Sequence, residues 1–413
     1  MVSVRLFFHV CVLENKATLF EFFYKITSYR FFVLLAFEMP KSKKVIISVI
    51  SDLVTDQRVH RTALTLSTKG LNVTLVGRKL KASDELQPRT YSIKRFKLPF
   101  ENGPLFYAFY NIRLFFYLLF HHADILVTND LDTLLPNFLI SKLKRCALYY
   151  DSHEYFTEVP ELVRRPKIQK IWLAIEHFIF PKLKNVYTVN DSIASIYSSK
   201  YKVNVNVVRN LPIKGNEQVI PQQREAFGLP LDKKIFLFQG AGINIDRGGE
   251  EAIEAIALVE NAALLFIGGG DVMIRLKEKV FEMKLEKKVF FIAKQPFEKL
   301  ISFTAMADFG LTLDKDSNFN YKYSLPNKLF DYIRAGLPVL ATDLIEVKKI
   351  IEAYSIGLIT PSLLPSDLAS TMEAMVNNKN LIEKWKENLQ IASAELCWER
   401  EEQKLLKIFD EVG

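Results

Sequence analysis

The stretch SLPNKLFDYIRAGLPVLATD, Ser324 to Asp343, has the pattern of a helix that leads directly into a buried strand. Ser324 and Pro326 supply a capping oxygen and a helix-starting proline, but neither explains Lys328. A cation at the positive end of a helix dipole is unfavourable by about 0.3 kcal/mol or more unless an anion binds there. Since the backbone N–H groups of Asn327 and Lys328 lie at this helix start, the stretch predicts an anion site.

Strand-length apolar runs alternate with helical patterns on both sides of this stretch. The first set of runs is VIISVIS, NVTLVG, DILVTND, ALYYD and NVYTVN, and the second is KIFLFQG, ALLFIGGGD, KVFFIA, DFGLTLD, LPVLATD and IGLIT. Such alternation is typical of parallel sheets with crossover helices. The sequence therefore predicts an α/β fold of two Rossmann-like, doubly wound domains that face a central cleft. Ligands are expected there, at the carboxyl ends of the strands.

Four segments are expected along the chain. Residues 1–38 hold 8 of the 32 phenylalanines in short runs broken by charges, and Met39 then opens a basic turn followed by a strand. We therefore expect an extension outside the fold before Met39, with a membrane-associating leader as the alternative. The other segments are an acceptor-side domain (39–210), a donor domain (211–390) and a helix that could cross back over the first domain (391–413).

Composition narrows the choice of compartment and partner. The three cysteines are odd in number and far apart, which excludes a disulfide framework or a CxxC zinc site and favours a reducing cytosol. The 55 basic and 47 acidic residues give a net charge of +8, which suits phosphorylated substrates or an acidic membrane face, although an ordinary basic protein explains it equally well. The basic residues are dispersed, so no nucleic-acid partner is expected.

Acidic residues and a histidine follow two strands of the first half. In YYDSHEYFTEVPE, His153 is a candidate hydrogen-bonding or acid/base group, which Asp151 and Glu154 could orient. A loop that only caps the next helix is the alternative. Asp130 and Asp132 in NDLDT mimic a metal-binding pair, but their place at a helix start is better explained by capping.

A glycine-bearing loop follows a strand of the second half, in FLFQGAGINIDRGGEEAIEAI. Gly240 and Gly242 would let the backbone turn tightly and approach a ligand, and Arg247, near the expected helix start, would place a guanidinium beside a phosphate. The pattern is not a dinucleotide fingerprint, because the spacing of the third glycine fails. Asp314, at the end of another strand, is expected to line the cleft rather than to hold a metal.

Lys328 and Asp331 lie three residues apart on one helix face. They would form an intrahelical salt bridge or, in the functional interpretation, bind a phosphate and the hydroxyls of a sugar, respectively. A separate helix, GPLFYAFYNIRLFFYLLFHHAD from Gly103, is so apolar that burial is expected. With the basic run Arg78–Lys81 nearby, it could instead rest on an acidic membrane surface.

Together these motifs resemble the family 4 glycosyltransferases, from about Lys44 to Asn377. The resemblance rests on DLVTDQRVHRTALTLSTKGLNVTLVGR, DSHE, GAGINIDRG and PNKLFDYIRAGLPVLATD in this order. It implies a GT-B fold and transfer of a sugar from a nucleotide-sugar donor with retention of configuration. It also implies that His153 approaches the transferred sugar, that Arg247 contacts the diphosphate and that Asp331 holds the ribose.

The chain departs from the family pattern at three places. Tyr323 stands where the E-x7-E motif has its first glutamate, and Gly240-Ala241 replaces a Gly-Arg pair. The first-domain loop lacks paired glycines and reads Val54-Thr55-Asp56-Gln57-Arg58. The chain thus resembles a subgroup with Pro-x-Lys before the acidic residue, in which Lys328 would help to hold the diphosphate. Thr55, Arg58 and Asp130 are then the candidates on the acceptor side.

These features predict a hexosyltransferase-like enzyme in the cytoplasm, at the inner face of the membrane, acting on a polysaccharide or lipid-linked acceptor of the cell envelope. Arg247, Lys328 and helix N-terminal amides would stabilise the departing diphosphate, so neither a metal nor a cofactor beyond the nucleotide-sugar is expected. A nucleotide-sugar epimerase of the same fold and a non-catalytic glycan- or membrane-binding relative are the alternatives.

Overall fold

The computed structural model of the chain describes residues 42–214 and 219–410. The expectation for residues 1–38 therefore lies outside the described residues. Everything below concerns the compact unit that begins at Lys44.

The first half of this unit contains a seven-stranded parallel sheet in the order β3-β2-β1-β4-β5-β6-β7. Its strands are β1 (Lys44–Ser48), β2 (Asn72–Lys79), β3 (Ser92–Lys97), β4 (Ile125–Asn129), β5 (Ala147–Ser152), β6 (Asn185–Thr188) and β7 (Val205–Val207). The helices of this half are α1 (Gln57–Thr68), α2 (Gly103–Phe120), α3 (Leu134–Lys144), α4 (Pro160–Val163), α5 (Pro166–Ile179) and α6 (Asp191–Tyr201).

The second half contains a six-stranded parallel sheet in the order β10-β9-β8-β11-β12-β13. Its strands are β8 (Lys234–Gly240), β9 (Ala262–Gly268), β10 (Val289–Ala293), β11 (Phe309–Thr312), β12 (Val339–Ala341) and β13 (Gly357–Ile359). The helices are α7 (Gly249–Leu258), α8 (Met273–Glu282), α9 (Phe297–Thr304), α10 (Phe319–Lys322), α11 (Asn327–Ala335), α12 (Ile345–Tyr354), α13 (Pro365–Asn377), α14 (Lys379–Glu395) and α15 (Trp398–Asp410).

Apolar strands explain why both sheets are covered on two faces. Along β1, Val45 and Ile47 pack into one core and Ile46 into another, because successive side chains of a strand point to opposite faces. The strand order reverses between β1 and β4, and again between β8 and β11. The predicted doubly wound α/β fold is confirmed, and each reversal creates the crevice in which such sheets bind ligands.

The last helix, α15, packs on the first sheet although its chain position follows the second. The ring of Phe409 stacks on Tyr149 with centroids 4.2 Å apart. The indole Nε1 of Trp398 donates a hydrogen bond to Oγ1 of Thr65 in α1, at 3.0 Å. Helix α15 thus contributes side chains to the core of the first half.

Helix α2 differs from the expectation that it is buried. Phe106, Tyr110, Leu114 and Leu118 face the core, whereas much of the opposite face is exposed. Among the described residues, α2 is the one helix that by length and composition alone could cross a membrane. Apolar composition predicted a helix covered by protein, but protein covers it on one side only.

Candidate active site

A pocket of about 160 Å³ opens at the carboxyl end of β8. It is bounded by the loop after this strand and by the start of α11. Five residues that the sequence assigned to donor binding line it: Gly240, Gly242, Arg247, Asn327 and Lys328. The structure therefore brings together side chains that are up to 88 residues apart (328 − 240 = 88).

Two cations of this pocket converge on one buried carboxylate. Nη1 of Arg247 donates to Oδ1 of Asp314 at 3.0 Å, and Nζ of Lys328 lies 3.6 Å from Oδ2 of the same residue. Asp314 is fully buried, behind the pocket rather than on its wall. Two positive charges thus face one negative charge, which leaves an excess positive charge at the pocket.

The same two cations also contact aromatic rings. The guanidinium of Arg247 lies 4.3 Å from the centroid of Tyr321, and Nζ of Lys328 lies 4.7 Å from that of Phe238. Burial and the neighbouring Arg247 lower the pKa of Lys328, against which Asp314 acts. The expected salt bridge to Asp331 does not form, since Asp314 is the ion partner of Lys328.

The start of α11 has the open amides that an anion site needs. Pro326 occupies the position before the helix, and no described residue accepts a hydrogen bond from the backbone N–H of Asn327 or Lys328. Ser324 does not cap this helix, contrary to the expectation. Its hydroxyl instead donates to the carbonyl of Tyr321 at 2.9 Å, and Pro326 occupies the N-cap position.

Asp331 is half-buried and does not line the pocket, and a residue that the sequence analysis missed binds it. Nε2 of Gln239 donates to its Oδ2 at 3.1 Å, while Oε1 of Gln239 accepts from Thr304 at 2.7 Å. Burial raises the pKa of Asp331 to about 6, against the opposing effect of Gln239. A polar side chain inside the apolar run FLFQG was the signal that could have revealed Gln239.

The glycines of the pocket act differently from the prediction. Gly240 and Gly242 have no left-handed backbone, and a Cβ on either would make only ordinary contacts. They leave space at the pocket wall rather than make a tight turn possible. The strict requirement lies at Gly248, where φ is +81° and a Cβ would lie 2.4 Å from the carbonyl oxygen of Leu313.

His153 lies at the corresponding edge of the first sheet, after β5. Its Nδ1 is 3.3 Å from Oδ2 of Asp130, and its Nε2 is 3.3 Å from Asp151 and 3.1 Å from Oδ1 of Asn129. Burial lowers the pKa of His153, but the charges of Asp130 and Asp151 outweigh this effect and raise the pKa to about 9. At neutral pH His153 is therefore an imidazolium, which donates hydrogen bonds and cannot accept a proton.

Asp151 orients His153 as expected, but Arg58 does not face an acceptor. The guanidinium is only 4% exposed and donates to both oxygens of Asp151, at 3.0 and 2.5 Å. Its remaining Nη1 donates to the carbonyl of Val208 at 2.8 Å. Arg58 is thus a buried partner that keeps Asp151 ionised, and its assignment to the acceptor side is corrected on grounds of burial.

Glu154 faces the second domain, and no hydrogen bond joins it to His153 among the described residues. Its Oε2 accepts from Nδ2 of Asn320 at 3.0 Å, and Oδ1 of Asn320 accepts from the backbone N–H of Tyr155 at 3.1 Å. Burial, with the charge of Asp130, raises the pKa of Glu154 to about 7. Glu154 and Asn320 therefore connect the two walls of the cleft, which is a correction to the expected orienting role.

Asp130 and Asp132 do not cap a helix as expected. Oδ1 of Asp130 accepts from the backbone N–H of His153 at 2.8 Å, so the residue holds the histidine loop. Asp132 is buried, and its Oδ1 has no hydrogen-bond partner among the described residues. Thr55, in the loop after β1, is exposed.

Two further contacts across the cleft come from residues that local patterns do not mark. Nδ2 of Asn190 donates to the carbonyl of Tyr323 at 2.7 Å, and Nδ2 of Asn210 donates to Oδ1 of Asn327 at 2.8 Å. Asn210 also accepts from Arg61 of α1. The ring of Tyr323, which stands where the family pattern has a glutamate, stacks on Phe319 with centroids 6.4 Å apart.

This chain is similar to known proteins in the sequence of its second half and in its fold. Residues 219–391 match the family described as glycosyl transferases group 1. This segment contains every donor-side residue discussed above. No curated protein matches the chain in sequence at a significant level.

Solved structures match nearly the whole described unit. Sucrose-phosphate synthase from Thermosynechococcus elongatus superposes with a TM-score of 0.72 at 15% identity, covering 90% of this chain and 99% of that one. HepE of Anabaena in complex with UDP-glucose gives 0.66 at 13% identity, with 90% and 99% covered. WaaG, a glycosyltransferase involved in lipopolysaccharide biosynthesis, gives 0.66 at 17% identity, with 85% and 97% covered. At these identities the similarity shows a common fold.

Proposed function

We propose that this chain, a glycosyltransferase of the GT-B fold with a group 1 second domain, transfers a hexose from a nucleotide-sugar to a polysaccharide or glycolipid acceptor. The proposal includes retention of anomeric configuration, which rests on the resemblance to family 4. It also includes a reaction without metal at the cytoplasmic face of the membrane.

The observation that carries the proposal is the pair of cations around the pocket. Arg247 and Lys328 approach Asp314 from one side and line the pocket on the other. A nucleotide diphosphate placed there would receive two positive charges and the free amides at the start of α11. When the sugar–phosphate bond breaks, negative charge grows on the diphosphate, and these fixed groups would stabilise it without reorganisation.

His153 would donate a hydrogen bond to the substrate rather than remove a proton from it. With its pKa raised to about 9 by Asp130 and Asp151, against the effect of burial, it carries its proton at neutral pH. It can therefore donate a hydrogen bond to a sugar hydroxyl or to the departing phosphate. The acid/base role proposed from sequence is thereby narrowed to a hydrogen-bond donor with a positive charge.

Two relatives suggest the first substrates to test. HepE was crystallised with UDP-glucose, and WaaG acts in lipopolysaccharide biosynthesis. We therefore place UDP-hexoses first among donors and envelope glycolipids first among acceptors.

The test is incubation of the purified protein with a panel of nucleotide sugars, with and without a glycolipid acceptor and with and without EDTA. We expect release of the nucleoside diphosphate, stimulated by the acceptor and unchanged by EDTA, and a product whose anomeric coupling constant equals that of the donor. Loss of activity in EDTA contradicts the metal-free reaction, and an inverted product contradicts retention. An epimerised sugar, or binding without release, would replace transfer by one of the two alternatives.

A further inference from the structure

We propose that the helices α2, α3 and α5 form a docking surface for a bilayer that contains anionic lipid. The three helices are neighbours on one side of the first sheet. Tyr107 of α2 contacts Trp172 of α5 edge to face, with centroids 5.4 Å apart. Phe138 of α3 contacts Phe178 of α5 at 6.2 Å, and Nζ of Lys144 in α3 donates to the carbonyl of Leu118 in α2 at 2.7 Å.

The outer face of α2 carries a continuous apolar stripe. Leu105, Phe109, Ile112, Phe116 and Phe120 recur at the spacing of one helix face, and all five are exposed, up to 78% for Phe120. Exposed Leu139 and Leu143 on α3, and Ile171 and Phe178 on α5, extend the apolar area. A contiguous exposed area of this kind marks an interaction site.

The exposed charges on the three helices themselves are of one sign. The sequences of the three helices contain a single acidic residue, Glu176, which is fully buried and bound by Lys200 at 2.8 Å. The exposed charged residues of these helices are all basic: Arg113, Lys142, Lys167 and Lys170. An exposed carboxylate, Glu161, lies on the neighbouring α4 and acts on Tyr107 of α2, but on the three helices themselves only cations border the exposed apolar side chains. Such a surface suits the interface of an acidic membrane.

The geometry favours a helix that lies on the membrane over one that crosses it. The inner face of α2 is filled by Phe106, Tyr110 and Leu114, which pack in the core of the first sheet. Withdrawal of α2 into a bilayer would expose this core to water. Docking through the outer face leaves the fold intact and buries only side chains that are already exposed.

The surface is connected to the histidine loop. Nδ2 of Asn111 in α2 donates to the carbonyl of Asp132 at 2.9 Å, two residues after Asp130, which binds the backbone N–H of His153. A lipid-linked acceptor anchored in the same bilayer would therefore be delivered near His153. This last step rests on the proposed function, whereas membrane docking itself does not.

Flotation of the full chain with vesicles, in the absence of donor, tests the docking surface. We expect the protein to float with vesicles of phosphatidylglycerol and phosphatidylcholine, and not with pure phosphatidylcholine. Binding should be lost at about 1 M salt, where the screening length is about 3 Å. Equal flotation with both vesicle types, or with neither, overturns the proposal.

Matched variants distinguish binding through this surface from non-specific binding of exposed apolar or basic residues to vesicles. Ile112→Ser, Phe116→Ser and Phe120→Ser together should reduce vesicle binding at least about tenfold. Ile274→Ser with Phe281→Ser removes two apolar side chains of similar exposure, 74% and 73%, from the second domain and should leave binding unchanged. Lys167→Glu with Lys170→Glu should also weaken binding about tenfold, whereas Lys384→Glu with Lys386→Glu should not.

The remaining outcomes decide between this proposal and its competitors. If the stripe variant floats like the parent, or the control pair loses as much, the surface is not the docking site. If light scattering shows a dimer that the stripe variant abolishes, a second copy covers the face and the proposal is wrong. Donor binding and melting temperature, measured without vesicles, should match the parent in all variants, so failure of docking is distinguishable from failure of the enzymatic proposal.

Discussion

At the scale of single residues, the arrangement of Arg247, Lys328 and Asp314 dominates the donor pocket. Alanine at either Arg247 or Lys328 should weaken binding of a nucleoside diphosphate by roughly 1.5–3 kcal/mol, the scale of a charge-assisted hydrogen bond. Titration calorimetry measures the change in Kd. Lys322→Ala is the matched control, because Lys322 pairs with the exposed Asp316 at 2.9 Å, outside the pocket. An unchanged Kd in either pocket variant contradicts that residue's assignment.

Asp314 should determine how donor binding depends on pH. Burial and Arg247 lower the pKa of Lys328, and Asp314 is the carboxylate that opposes them. In Asp314→Asn this opposition is lost, so the pKa of Lys328 should fall further and the lysine should deprotonate as pH rises.

We therefore expect the affinity of Asp314→Asn for a nucleoside diphosphate to fall with rising pH, while the parent retains its affinity to a higher pH. Asp314→Glu should restore most of the parent profile. Parallel profiles for the parent and the asparagine variant would show that Asp314 has a structural role only. The Kd of the nucleoside diphosphate, measured as a function of pH for the parent and both variants, checks this prediction.

Single site residues could be predicted from this sequence, but contacts between residues that are far apart along the chain could not. His153 and Arg247 could be found because each lies in the loop after a strand, and Lys328 because it lies at a recognisable helix start. The bond between Glu154 and Asn320 could not, since its partners are 166 residues apart and meet only when the two domains face each other. The side-chain hydrogen bonds of Arg58 are equally non-local, so a residue that the sequence placed in a ligand-binding loop is in fact buried in α1.

At the scale of elements, apolar runs predicted the strands well, because a parallel strand covered on both faces must be apolar throughout. The same reasoning failed for α2. Its composition showed that the helix avoids charge, but whether protein or another phase covers its outer face depends on packing that composition does not encode. The helix start at Pro326 was similarly found, whereas the direction of the Ser324 hydroxyl was not.

Helix α15 should contribute strongly to the stability of the first half. Trp398 is buried, bonds Thr65 and lies under the guanidinium of Arg61, 5.6 Å from its ring. Trp398→Ala should lower the free energy of unfolding by about 3–5 kcal/mol. Urea denaturation measures it, with the exposed Ile391→Ala in α14 as a control expected within about 0.5 kcal/mol of the parent. Equal stability of the two variants would show that the core tolerates loss of this contact.

At the scale of the whole molecule, the donor pocket and His153 belong to different domains, and the proposed transfer would need both. Asn320 is one of the described connections between them, through Glu154 and the amide of Tyr155. Asn320→Ala should reduce kcat about three- to tenfold, the equivalent of one hydrogen bond, while the Kd of the donor changes less than about twofold. The donor groups around Arg247 are untouched by this change.

The control is Asn388→Ala, which removes an exposed amide bonded to the carbonyl of Ser355, at 2.9 Å and away from the cleft. Its kcat and Kd should equal those of the parent. A rise in donor Kd for Asn320→Ala that matches its loss of kcat would place Asn320 in the donor site rather than in the domain connection.

The pairing of Arg247 and Lys328 with Asp314 also has a consequence for the end of each turnover. A pocket with two unpaired cations would retain the spent nucleotide tightly, and its departure would then limit the rate. Asp314 already lies next to Arg247 and Lys328 and can pair with both when the nucleotide leaves. Ion pairs within the protein then replace those with the nucleotide. The internal carboxylate should thus keep product inhibition weak, and its removal should make inhibition by the free nucleoside diphosphate stronger at low pH, where Lys328 keeps its charge.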